Sequence, residues 1–143
     1  MTVNTILQTK GHHVATIAAT HDLAEAVRLL GEMKIGALLV TDGVKAVAGI
    51  LSERDVVRAL ARKGASILGD PVSEHMTREV VSCTGKSDIT EIMELMTRGR
   101  FRHLPVIENE RLVGVISIGD VVKHRLAEIE AETQAIKEYI ATA

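Results

Sequence analysis

The 143-residue chain has no tryptophan and only one tyrosine (Tyr139), one phenylalanine (Phe101) and one cysteine (Cys83). So few aromatic rings exclude sugar binding by stacking and base-stacking platforms for single-stranded nucleic acid. A lone cysteine cannot close an internal disulfide, so a reducing compartment, the cytoplasm, is expected. Cys83 has no obvious His or Asn partner and reads as a buried thiol rather than a nucleophile. The formal net charge of −2 offers no electrostatic footprint for duplex DNA or an anionic membrane. No apolar run approaches the ~18 residues of a bilayer span, and Met1-Thr2-Val3-Asn4 lacks the basic and apolar regions of a leader. Gly-x-x-x-x-Gly-Lys and Gly-x-Gly-x-x-Gly loops are missing too, so nucleotide hydrolysis has neither a dedicated lysine nor a metal cradle. His12-His13 and His21 have no Cys or carboxylate at ligand spacing, so no metal site is expected.

What is present is a core vocabulary of Val, Ile, Leu, Met and Ala, and a repeat. Gly49-Ile50-Leu51-Ser52-Glu53-Arg54-Asp55-Val56-Val57 returns 65 positions later as Gly114-Val115-Ile116-Ser117-Ile118-Gly119-Asp120-Val121-Val122. Asp22-Leu23-Ala24-Glu25 pairs with Asp88-Ile89-Thr90-Glu91, and Ala37-Leu38-Leu39-Val40 with His103-Leu104-Pro105-Val106, at a shift of 66. The chain is internally duplicated.

Each copy reads as β-α-β-β-α. Val14 to Ile17 and Val80 to Cys83 are short β-prone runs. Asp22 and Asp88 cap helices, with a reciprocating Glu25 or Glu91. Apolar residues then recur at helical spacing: Leu23, Ala26, Val27 and Leu30, and Ile89, Ile92, Met93 and Met96. Strands over Ala37 to Thr41 and His103 to Ile107 lead to turns at Asp42-Gly43, which suits a tight hairpin, and Asn109-Glu110. Second strands, Ala46 to Leu51 and Leu112 to Ile116, run into second helices. The first of these carries Val56, Val57 and Leu60 on one side and stops near Gly64. The expected fold class is α/β, with repeat 1 over residues 1–66, repeat 2 over 67–126, and a connector at Asp70-Pro71. A unit of about 60 residues has a thin core alone, so the copies should pack together about an approximate two-fold axis. From Asp120 a long C-terminal helix is expected over residues 120–143. Val122, Leu126, Ile129, Thr133, Ile136 and Ile140 recur at spacings of 4, 3, 4, 3 and 4, a heptad seam that either covers its own core or meets a second copy.

The fragment Gly-h-h-Ser-x-x-Asp (h apolar) stands where a strand meets a helix. Ser-x-x-Asp is close to a capping box. The same atoms can also serve a ligand: free N–H groups and the dipole suit phosphate, and the carboxylate can accept two vicinal ribose hydroxyls. Gly119 would let a ligand approach the backbone. The basic run Arg98-Gly99-Arg100-Phe101-Arg102-His103 adds guanidiniums for phosphate, where strand alternation would place Arg100, Arg102 and Leu104 on one side. Repeat 1 has the nearly uncharged Lys34-Ile35-Gly36-Ala37 at that place, so the two sites should differ. The expectation is that the pocket of Ser117, Asp120, Arg102 and His103 is the tighter.

The duplicated unit, ending in Gly-h-h-Ser-x-x-Asp with Arg-His-Leu-Pro-Val in its middle strand, resembles the cystathionine-β-synthase (CBS) domain family, and the two copies resemble a free-standing CBS pair, or Bateman module. The resemblance covers nearly the whole chain. It implies two clefts at the repeat interface for AMP, ADP or ATP, with S-adenosylmethionine and NAD(H) as alternatives. By resemblance Asp55 and Asp120 hold ribose, Ser52 and Ser117 reach phosphate, and Arg102 and His103 flank it. Thr16 and Ser82, with backbone near Ala37 and Leu104, frame adenine; Arg54, Arg100, Gly36 and Gly119 complete the candidate set. The implied function is a non-catalytic sensor without a catalytic cofactor, working as a homodimer and signalling to a partner protein. Rival readings are a nucleotide-processing enzyme and a dimerisation module without ligand.

Overall fold

The computed structural model describes residues 1–142. In chain order the elements are α1 (Val3–Lys10), β1 (Thr16–Ala18), α2 (Leu23–Met33), β2 (Ala37–Thr41), β3 (Gly49–Ser52), α3 (Glu53–Lys63), α4 (Ile89–Gly99), β4 (His103–Glu108), β5 (Arg111–Ser117) and α5 (Ile118–Thr142). Two 3₁₀ turns, Ala65–Gly69 and Val72–Glu74, occupy the connector. The first sheet has the order β1-β2-β3, parallel then antiparallel; the second is the antiparallel pair β4-β5. This is the α/β duplication expected, with one reduction. The run Val80 to Cys83 contributes a single bridge, Cys83 to Val106, rather than a strand.

The helix starts follow the capping residues. Asp22 accepts the Glu25 N–H at 2.9 Å and Asp88 the Thr90 N–H at 3.1 Å. Glu25 does not reciprocate, because its carboxylate is engaged by Arg28. Each helix buries a narrower face than its periodicity suggested: Leu23, Ala26 and Leu30 in α2, Val56 and Ala59 in α3, Ile89, Ile92 and Met96 in α4. Val27, Val57, Leu60 and Met93 lie outside. The tight hairpin occurs at Asn109-Glu110, both at positive φ (49° and 63°), as a two-residue turn between twisted strands requires. Asp42-Gly43 instead opens a longer loop, 42–48, in which Asp42 accepts the N–H groups of Val44 and Lys45.

The sequence boundaries between the copies do not coincide with the packing. Val3, Ile6 and Leu7 of α1 sit in the core of the second repeat, with Ile92, Met96, Leu104, Val106 and Ile116. Ile67, Val72 and Met76 of the connector belong to the core of the first. The two lead-in segments make matching backbone bonds: Val3 N–H to Ser87 O and Asn4 N–H to Gly85 O, against Val72 N–H to His21 O and Ser73 N–H to Ala19 O. Each repeat is thus closed by the segment that precedes the other. Gly114 permits this closure, since a Cβ there would stand 2.8 Å from Leu7 Cδ2; a Cβ on Gly49 would meet Met76 Sδ at 2.7 Å.

Candidate functional site

Both Ser-x-x-Asp motifs are capping boxes. The Ser52 N–H donates to Asp55 Oδ2 at 2.9 Å and the Asp55 N–H to Ser52 Oγ at 3.2 Å; the Ser117–Asp120 bonds are 2.9 and 3.1 Å. Ser52 Oγ–H also donates to Asp55 Oδ2 at 3.1 Å. Among the described residues Asp55 Oδ1 accepts no hydrogen bond, so capping leaves half of this carboxylate for a ligand.

The cleft at this motif has a volume of about 300 Å³. Its walls bring Ser52, Arg54 and Asp55 from the first repeat against Arg100, Arg102 and His103 from the second, with Gly36 between them. The basic run therefore also faces the motif of the other copy, a grouping the sequence did not suggest, while His103 stays the register partner of Ser117 and within reach of the Asp120 charge. The two repeats place equivalent bonds at matching positions: Gly36 O accepts the Glu53 N–H at 2.9 Å and Arg102 O accepts the Ile118 N–H at 2.8 Å. Gly36 lies against the His103 ring of the other copy, where a Cβ would stand in van der Waals contact at 3.4 Å.

Strand alternation does not govern residues 100–102. β4 begins only at His103, and Arg100 is the left-handed C-cap of α4 (φ 55°, ψ 32°). A left-handed non-glycine residue costs roughly 1–2 kcal/mol. With the chain turned there, Arg100, Arg102 and His103 all reach one cleft, and Leu104 is fully buried. Lys34 caps α2 in the same conformation.

Sequence reasoning missed Glu53, Arg58, Thr77 and Glu79, which also line the cleft beside the apolar Ile50, Val80, Val81 and Phe101. Arg58 lies one helical turn from Arg54, a spacing that was visible. Among the described residues, no carboxylate stands within ion-pair distance of Arg54, Arg58, Arg100 or Arg102. Thr16, Ala37, Ser82, Leu104, Ser117, Gly119 and Asp120 do not line this cleft.

The motif of the second copy is already engaged. Lys10 Nζ, at the end of α1, donates to Asp120 Oδ2 at 2.5 Å and to Val115 O at 2.8 Å. At the matching place in the first copy, Ile50 exchanges backbone bonds with Thr77, which leaves Asp55 clear. Burial works against ionisation of Asp120, but the Lys10 ammonium and the Ser117 N–H outweigh it and hold the carboxyl below its usual range. His103 is lowered, first by burial and then by Lys10, so it is neutral at neutral pH. Burial pushes the Cys83 thiol up to about 11, in keeping with an unreactive core residue.

His12 bonds Val113 O at 2.9 Å rather than gathering ligands with His13 and His21. Asp70, Glu74 and His75 bring three potential ligand atoms within 4.8 Å of one another. Arg58 and Arg62 share the hollow beside His75 and oppose a cation there.

The family model for the CBS domain matches twice, over residues 8–62 and 72–127. The chain belongs to the CBS domain family. This CBS pair is 33% identical to the mitochondrial CBS domain-containing protein CBSX3 of Arabidopsis thaliana, over 97% of this chain and 71% of that protein. It resembles the crystal structure of a CBS-domain protein from Agrobacterium tumefaciens at a TM-score of 0.85 and 49% identity, covering 87% of this chain and 99% of that one. The CBS domain pair of protein MJ0100, solved with 5′-methylthioadenosine and S-adenosyl-L-methionine, aligns at a TM-score of 0.79 over 90% of this chain and 98% of that one. At 22% identity this last likeness concerns the fold.

Proposed function

We propose that this CBS pair is a regulatory module that binds a phosphorylated adenosine in the cleft between Ser52–Asp55 and Arg100–His103, without turning it over. The observation that carries the reading is that four guanidiniums, Arg54, Arg58, Arg100 and Arg102, line one cleft without ion-pair partners among the described residues. Unpaired cations converging on a concave site favour an anion with several acceptor oxygens. The free Oδ1 of Asp55 suits the vicinal hydroxyls of ribose, and the guanidiniums of Arg100 and Arg102 across the cleft suit phosphate. The adenosine ligands bound to MJ0100 support the nucleoside half of the assignment. The guanidiniums favour AMP, ADP, ATP or a dinucleotide such as NAD(H) over a ligand without phosphate.

Ser52 Oγ is committed to the cap, accepting the Asp55 N–H and donating to Asp55 Oδ2, so the cleft is read as one that holds a nucleotide rather than attacking it. Lys10 on Asp120 occupies the carboxylate of the second motif, so Asp55 rather than Asp120 takes the ligand, the reverse of the sequence expectation. The apolar stripe Val122, Leu126, Ile129, Ile136 and Ile140 on α5 is exposed, so it does not cover its own core and is free to join a second copy. α5 starts immediately after Ser117 and leads away from the paired repeats, which suits passing occupancy to a partner protein. Among the described residues no helix is long and apolar enough to cross a membrane.

Mass spectrometry of small molecules released from the purified protein, followed by melting in their presence, tests the reading. A nucleotide at 100 times its Kd adds about 2.7 kcal/mol. Empty protein whose midpoint no adenine nucleotide raises would contradict it.

A further inference from the structure

α5 leaves its own module soon after it begins. Val121 is its only buried residue, and Leu126, Ile129, Ile136 and Ile140 are 44–68% exposed along one seam. Thr133 completes that seam. With Leu126, Thr133 and Ile140 at heptad position a, and Ile129 and Ile136 at d, the flanking charges fall at fixed places. Arg125 and Glu132 take g, while Lys123, Glu130 and Lys137 take e. Glu130, Glu132 and Lys137 have no ion pair among the described residues; Arg125 has one at 3.7 Å, with Glu128 of its own helix. In a parallel, in-register pair each g residue faces the e residue of the next heptad in the second copy. That joins Arg125 to Glu130 and Glu132 to Lys137, each twice by symmetry, and sets Thr133 against its own counterpart. An antiparallel pair on the whole seam joins e to e and g to g. It opposes Glu130 to Glu130, Glu132 to Glu132 and Lys123 to Lys137, and sets Thr133 against apolar Ile129. Sliding it by one heptad relieves those clashes only by leaving Leu126, or Ile136 and Ile140, without a partner.

We propose that α5 pairs with the α5 of a second copy as a parallel, in-register coiled coil, so that the two modules stand at one end of a common rod. The proposal rests on the reading of the stripe as a contact between copies and is independent of the nucleotide reading. From Leu126 to Ile140 the seam is about 21 Å long, and the charges on its flanks are complementary only to a copy that runs the same way over that whole length.

Sedimentation of the full chain as wild type, Glu130→Lys, Arg125→Glu and the double variant tests this. Each single change turns two contacts per dimer repulsive and should weaken self-association about 2- to 30-fold, the worth of two exposed ion pairs. The double variant restores the pairing and should associate as wild type does, a recovery that no antiparallel alignment gives. Ile140→Cys, oxidised with oxidised glutathione, should give a disulfide-linked dimer, because parallel copies bring the two new thiols together while Cys83 is buried. In every antiparallel alignment those thiols stand at least about 16 Å apart along the axis. Self-association without the recovery, or without the Ile140→Cys link, overturns the proposal. If Ile129→Asp with Ile136→Asp still weakens that association, the contact reading stands; if it does not, both fall. A wild type that stays monomeric overturns both as well.

Discussion

Leu7→Ala is the sharpest probe of the interlocked architecture, because Leu7 is distant in sequence from the second-repeat core it packs against. Its side chain is fully buried in the second repeat's core and reaches the bare backbone of Gly114. A buried Leu→Ala change costs about 2–5 kcal/mol. At about 2.1 cal/mol/K per residue, a chain of this size loses roughly 3 °C per kcal/mol, so the midpoint should fall by roughly 6–15 °C. Gly114→Ala should also destabilise, by about 1–3 kcal/mol, through overpacking against Leu7. The double variant is the informative one, since the new methyl group enters the space that Leu7 vacates. It should be more stable than the sum of the single effects by about 1 kcal/mol or more, as measured by denaturant titration of all four proteins. Additivity within about 0.5 kcal/mol would mean that α1 is not seated on β5, and the crossed closure of the repeats would fall with it.

Lys10→Met should free Asp120, so nucleotide stoichiometry by calorimetry should rise from one toward two per chain; an unchanged ratio would mean that Lys10 is not what withholds Asp120 from a ligand. The same change should flatten the acid limb of stability, because a depressed Asp120 contributes stability above its unfolded pKa that is lost as pH falls through the lower folded value. A phosphate beside His103 should raise its lowered pKa, so binding near pH 6 should take up a proton. Calorimetry in buffers of different ionisation enthalpy measures this, and zero uptake would place the phosphate elsewhere. Ile129→Asp with Ile136→Asp should weaken self-association in sedimentation while leaving nucleotide affinity intact; an unchanged assembly would remove α5 from the interface.

The duplication, the element types and the two motifs were legible because they are local: strand and helix periods and capping residues lie within a dozen positions. α1 was not read, although Val3, Ile6 and Leu7 have helical spacing, because eight residues make a marginal helix alone and the surface they bury is in the other repeat. The cleft was half legible. Ser52, Asp55, Arg100, Arg102 and His103 were each singled out, but a motif and a basic run in one copy invited grouping within that copy. The packing of the two repeats sends the basic run across the interface, and no local pattern encodes that crossing. Arg100 escaped the alternation argument because a left-handed helix end, not a strand, aims it. Lys10 carried no signal, because its partner Asp120 is 110 positions away.

The central claim is that one cleft, built from the motif of the first repeat and the basic run of the second, holds the nucleotide. Titration calorimetry of AMP against wild type, Asp55→Asn and Asp120→Asn tests it most directly. The account predicts one site per chain, a loss of about 10- to 150-fold for Asp55→Asn, equivalent to about 1.5–3 kcal/mol, and little change for Asp120→Asn. A loss for Asp120→Asn as large as that for Asp55→Asn, or no loss in either, would contradict it.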